Sequence, residues 1–231
     1  MKFIQILRDW SEVWALLIPL AVIVFKKKYE KDIRVLIGYV IIAFVLNLAA
    51  NFMLQFYYLV PKWMYVNGMS NNNILYNIHS IVRVLMFSWY ILMVRHYGFS
   101  FILKTLLAVY VAFVLINFIF IEPVFFLSTH LFAAESIMLL VICLSYFISS
   151  IQDESQVNWI KHPSFFVCAG VTFYEAITFF IFLFFYPLSQ KDQSFFLVTM
   201  RIYNISFVVL CILLALAFYQ SHKRVRRSQR Q

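Results

Sequence analysis

Apolar residues run almost unbroken through seven stretches of the chain, at about 11–26, 33–58, 74–94, 99–121, 127–150, 164–187 and 194–219. Short polar links separate them: KKKYEKD, VPKWMYVNGMSNNN, RHYGF, EPVFF, QDESQVNWIKHP and LSQKDQ, none long enough to hold a folded domain. A hydrocarbon core about 30 Å thick needs roughly 20 residues of helix at about 1.5 Å per residue, which is the length of these stretches. Most of them are apolar all round rather than along one stripe, so they read as membrane helices and not as faces of a soluble bundle. Period-two alternation is absent, which excludes an outer-membrane barrel. The pattern predicts an all-α polytopic membrane protein, with one domain of seven transmembrane helices over residues 1–221 and a basic tail over 222–231.

Composition agrees with that reading, because 64% of the 231 residues are hydrophobic and only 13% are charged. The net charge of +9 needs no nucleic-acid partner, since much of it flanks the membrane on one side. That side carries Lys26, Lys27, Lys28, Lys31, Arg34, Arg95, Lys104, Lys161 and the tail KRVRRSQR, against Lys2, Arg8, Lys62 and Lys191 on the other. The positive-inside rule then puts the amino terminus outside and the carboxyl terminus in the cytoplasm of an inner or plasma membrane. More cations follow the first apolar run than precede it, and no small-residue cleavage site follows, so the run reads as a retained signal anchor. Anionic lipid is the expected partner of the basic side, at about 1 kcal/mol per residue. A protein partner could reach QDESQVNWIKHP or the tail. Cys143, Cys168 and Cys211 fall inside predicted helices, where they suggest packing residues and neither a disulfide framework nor a metal site.

Charged residues inside the predicted spans narrow the chemistry. Away from the span ends these are Arg83, Glu135, Glu175 and Arg201. Each is costly at mid-membrane if it faces lipid, so all four are expected to face inward, with two acids balancing two bases in buried pairs. Tyr76, His79 and Arg83 are spaced at i, i+3 and i+7 and share one helix face. Asn47 and Asn51 share another, as do Arg201 with Asn204 and Thr172 with Glu175 and Thr178. By depth, Arg83 and Glu175 lie near the midplane, while Tyr76, Asn77, His79, Asn117, Glu135 and Arg201 lie in the outer half. The inner halves, such as VLMFSWYILMV and FVVLCILLALAFY, are almost purely apolar. This describes a polar interior open to the outside and sealed beneath.

LYNI at 75–78 and IYNI at 202–205 form an internal echo between the third and seventh spans, which run in the same direction. Asn47 and Glu175 each stand eleven residues before the matched Tyr58 and Tyr186, and Glu12 and Glu135 fall near the outer ends of the first and fifth spans. The pattern suits two parallel three-helix repeats joined by the fourth helix. In outline it resembles small sugar and vitamin transporters built as three plus one plus three helices. Only Pro19, Gly38 and Gly170 lie well inside spans, however, and such rigid helices favour a sensor over a carrier with broken helices.

Other classes lose support residue by residue. The last span lacks the lysine that a retinal Schiff base needs. His79 and His130 with Glu135 make a poor zinc set, and His96, His162 and His222 lie at the opposite boundary. No serine or cysteine sits in a nucleophile motif, so no cofactor, metal or catalytic residue is expected. The expectation is a non-enzymatic, receptor-like sensor that binds a small polar or charged ligand in an outward-facing pocket and signals through a partner. Its ligand residues would be Tyr76, Asn77, His79, Arg83, Glu135, Glu175, Arg201 and Asn204, with the arginines on an anionic group. The alternatives are a small-solute or proton-coupled transporter, and a structural subunit whose ion pairs fix helix register.

Overall fold

The computed structural model describes residues 10–26, 28–56, 65–66, 69–70, 72–94, 100–152, 159–185 and 193–228. Among them are seven α-helices: α1 (Ser11–Phe25), α2 (Ile33–Gln55), α3 (Asn73–Val94), α4 (Ser100–Ile116), α5 (Thr129–Gln152), α6 (Pro163–Leu183) and α7 (Gln193–Ser228). A π turn, Asn117–Ile121, continues α4, and a two-residue pairing of Tyr65–Val66 with Met69–Ser70 marks the link before α3. Six helices are long and apolar enough to cross a membrane, whereas α1 is a shorter apolar helix of 15 residues. The chain is a multi-pass membrane protein.

Local chemistry sets the helix ends. His162 takes extended backbone, and its Nδ1 accepts from the Ser164 N–H at 3.3 Å, capping α6 just before Pro163. Proline suits the first helical position because its missing N–H would have had no intrahelical acceptor. Ser128 starts α5 in the same way, its Oγ accepting from the Leu131 N–H at 3.2 Å. That cap moves α5 two residues beyond the predicted span. At the other end of the chain, α7 extends nine residues past its predicted limit into the tail. Apolarity stops near Tyr219, but lysine and arginine are good helix formers and the helix continues through them.

The helices form a ring in chain order with one omission. Helix α1 packs on α2 and α7, α2 on α3, α3 on α5, α5 on α6 and α6 on α7, while α4 lies outside against α3 and α5. Exchanging α1, α2 and α3 for α5, α6 and α7 maps neighbours onto neighbours and leaves α4 over, as a three plus one plus three arrangement requires. The matched Tyr58 and Tyr186 lie outside the described residues, as do Lys2, Arg8, Lys27, Lys62, Arg95, His96 and Lys191.

Helices α6 and α7 approach closely at one glycine. A Cβ on Gly170 would stand 3.1 Å from Leu213 Cβ and 3.2 Å from Leu210 Cδ1, so the absent side chain is what allows the approach. The apolar core fills the half of the ring nearer the basic ends, with Phe87, Tyr90, Leu139, Val167, Leu210 and Phe218 buried. Tyr90 is not an exception to the apolar seal, because its hydroxyl donates to Ser164 Oγ at 2.8 Å. Phe101, Val109, Ile119 and Phe120 on α4 and its π turn are all more than 60% exposed, a surface suited to lipid.

Candidate functional site

Arg83 is the eleventh residue of the 22 in α3, which places it halfway along the helix and at the centre of the ring. It is buried, with Nε 3.0 Å from Glu135 Oε1 on α5 and Nη1 3.4 Å from Glu175 Oε1 on α6. Ser136 Oγ donates to the other Glu175 oxygen at 2.7 Å. The Tyr174 ring lies against the guanidinium, 4.9 Å from Cζ to its centroid, adding a cation–π contact. Glu135 is held less well. Its contact with Arg83 is close, yet the Nε–H is not aimed along it, and neither carboxylate oxygen has a hydrogen bond of good geometry.

A third carboxylate approaches from the amino-terminal end of α1. Glu12, in the first turn of α1, stands within hydrogen-bonding reach of Tyr76 and Tyr203 and feels the Arg83 charge. Tyr203 in turn accepts from the Tyr174 hydroxyl at 2.9 Å, and His79 Nε2 lies 3.3 Å from the Tyr39 hydroxyl with the two rings stacked. Three carboxylates thus surround one guanidinium, an excess of two negative charges if all ionise. A low-dielectric interior does not hold such an excess without protons or a cation.

A cavity of 260 Å³ opens above this cluster. Glu12, Tyr76, His79, Arg83 and Tyr203 supply its polar side, and Leu127, Phe132, Phe182, Phe185, Phe196 and Met200 supply apolar walls. A second cavity of 290 Å³ shares Glu12, Tyr76 and Met200 with the first and reaches Ser11, Leu197, Arg201 and Asn204. The two cavities therefore adjoin at Glu12, Tyr76 and Met200.

The structure therefore brings Tyr76, His79, Arg83, Glu135 and Glu175 together, and places Arg201 and Asn204 on the adjoining cavity. The expected balance of two acids and two bases is corrected. Arg201 is exposed and makes no ion pair among the described residues, and Glu135 and Glu175 both turn to Arg83. Near the end of a helix an arginine can reach the interface, so depth alone does not force it inward.

Asn77 is also redirected. Its Nδ2 donates to the Val124 and Phe126 carbonyls, both at 2.8 Å, and its Oδ1 accepts from the Ser128 N–H at 3.2 Å. It fastens the link between α4 and α5 and faces away from the cavity lining. The π turn ends in the same knot: buried Asn117 donates to Ser128 Oγ at 2.8 Å, Ser128 donates to Glu122 Oε2, and His130 Nδ1 is 2.8 Å from Glu122 Oε1. Burial would raise the Glu122 carboxyl, but the hydrogen bonds from Ser128 and His130, the His130 charge and Thr129 outweigh it and hold the group below its ordinary value.

Sequence reasoning missed Glu12, Tyr39, Ser136, Tyr174 and Tyr203. Glu12 stands at a span end, where depth alone predicts no need for a partner. Its signal lay in the echo, since the tyrosines of LYNI and IYNI are Tyr76 and Tyr203, the two that approach it. Cys143, Cys168 and Cys211 are buried and unbridged, and among the described residues no three His, Cys, Asp or Glu side chains converge to hold a metal ion. No protein-family model, curated protein or solved structure matches this chain.

Proposed function

We propose that this protein is a receptor-like sensor of an inner or plasma membrane, which binds a small external ligand in the cavity above Arg83 and signals through a partner. The observation that carries the reading is the aromatic-walled cavity whose polar side includes Glu12, Tyr76 and Tyr203. Arg83 is already engaged by two carboxylates, so an anionic ligand group has little to gain there. A small organic cation with an apolar body fits better: its ammonium group would meet Glu12 and the tyrosine rings, and its body the phenylalanines. Binding would press on Met200 and Tyr203 of α7 and shift that helix against its neighbours.

The test is a thermal-shift screen of the detergent-purified protein against small ammonium compounds and small anions, run beside Glu12→Gln. A ligand at about 100 times its Kd stabilises by about 2.7 kcal/mol. The reading expects an ammonium compound to stabilise the wild type and to lose that effect in Glu12→Gln. Stabilisation by anions alone, or equal stabilisation of the variant, removes it. The excess of carboxylates favours a second reading, a proton-coupled transporter in which Glu135 and Glu175 exchange a proton across the Arg83 charge. Substrate accumulation in vesicles that disappears in Glu175→Gln would support that reading.

A further inference from the structure

The opposite end of α7 carries a separate site. Tyr219, His222, Lys223, Arg226 and Arg227 recur at i, i+3, i+4, i+7 and i+8, so the continuation of α7 as a helix sets all five on one face. With Lys26, at the end of α1, they line a cavity of 390 Å³, and among the described residues no carboxylate lines it. At about 30 Å³ per water it has room for roughly a dozen, ample for a phosphate group and its linker.

The cavity is built on a fixed platform. The Tyr29 hydroxyl donates to the Val22 carbonyl at 2.8 Å, and its ring packs edge-on against Phe218. The Glu30 N–H donates to Ser221 Oγ at 3.0 Å, and the Glu30 carboxylate pairs with Arg224 at 3.6 Å. These contacts clamp the link after α1 to α7 and direct Arg224 away from the cavity. Glu30 is thereby used on one face, and among the described residues no acid faces the cations of the other.

Its surroundings point to a lipid. Val24 and Phe25, immediately before Lys26, are 70% and 79% exposed, and Tyr219 marks the last turn before the basic run. Aromatic side chains at the boundary and cations just beyond it are what an interfacial headgroup meets. We infer that the cavity between the end of α1 and the α7 extension binds the headgroup of an anionic lipid that carries phosphate as a monoester. Lys223, Arg226 and Arg227 hold the phosphate oxygens, Lys26 closes the site from α1, and Val24 and Phe25 border the acyl chains. This site stands independently of the ligand proposed for the outer cavity.

The full-length detergent-purified protein would be titrated with short-chain phosphatidic acid, short-chain phosphatidylglycerol and glycerol 3-phosphate, with binding read by thermophoresis. Phosphatidic acid is expected to bind about tenfold or more tightly than the other two. The variant Lys223→Gln/Arg226→Gln/Arg227→Gln should lose that preference, while Arg34→Gln/Lys104→Gln/Lys161→Gln, which removes the same charge elsewhere, should keep it. Glycerol 3-phosphate binding as tightly would make this a soluble-phosphate site and overturn the lipid assignment. Equal losses in both variants would reduce it to diffuse attraction, and equal affinity for the two lipids would remove the monoester. Melting temperatures of both variants, read alongside, show that neither loss comes from unfolding.

Discussion

Arg83 Nε stands 3.0 Å from Glu135 Oε1 at the centre of the ring, in a contact that joins α3 to α5 where both helices are buried. Its second carboxylate, Glu175 at 3.4 Å, draws α6 to the same point. One guanidinium therefore fixes three helices.

Removing that guanidinium leaves its carboxylates unpaired. Arg83→Met is expected to lower stability by about 3–5 kcal/mol, as for other broken buried pairs. Arg83→Leu/Glu135→Leu should recover most of it, because Glu175 keeps its hydrogen bond from Ser136. Thermal unfolding in detergent compares the three proteins. A double variant no more stable than the single one would show that the charges are not compensating each other.

Close approach at Gly170 can be tested by adding volume. Gly170→Ala needs the neighbouring leucines to give by a few tenths of an ångström, because its Cβ would lie 3.1 Å from Leu213 Cβ. Gly170→Val adds branching at the same place and is expected to destabilise by about 1–3 kcal/mol. An unchanged melting temperature for the valine variant would mean that α6 and α7 do not depend on this contact.

His162 predicts a pH dependence at the start of α6. Burial first, and then the Arg224 charge, lower its pKa from 6.5 to about 4, so the folded protein keeps it neutral with Nδ1 free to cap. The unfolded chain binds the proton more readily between these values. Its contribution is therefore fully present above about pH 6.5 and is lost as pH falls towards 4. His162→Asn keeps a capping side chain and should flatten that part of the melting profile. Profiles that stay parallel over this range would contradict the assignment.

At the outer knot the sign is the same for a different reason. The Glu122 carboxyl is held below its ordinary 4.5, so its stabilising effect is present above that pH and is lost as pH falls through the depressed value. Protection factors of the Ser128 and Leu131 amides, referred to the intrinsic rate at each pH, should fall on acidification below about pH 4.5 in the wild type. In Glu122→Gln they should already be lower and should vary less with pH. Identical exchange in the two proteins would exclude Glu122 as the fastener.

Much of this molecule can be read from its residues, and the parts that cannot share a cause. Apolar runs of membrane length specify the helices, and half-helix depth puts Arg83 and Glu175 at one level, because both facts are local to a helix. Pairing is not local. Arg201 sits on α7 with the same expected depth as Glu135, yet whether it faces the ring or the interface depends on the rotation of α7 against α1 and α6. Asn77 looks like a pocket residue until the path of residues 122–128 is known, since those backbone carbonyls are what it holds. The π turn at Asn117 has no periodic signature, and Glu12 gains its role only once α1 closes the ring beside α7.

Helix α7 contains neither glycine nor proline from Gln193 to Ser228, and it passes from the outer cavity to the basic end without a break. Tyr203 and Arg226 are 23 residues apart, about 35 Å along a single rod. A rod of that kind has no hinge at which to absorb a rotation imposed on one end. Tilting it at Tyr203 moves the cations at the membrane surface, and anchoring those cations resists the tilt. If both ends bind as proposed, any influence that one exerts on the other through the tilt of α7 is reciprocal and equal in free energy.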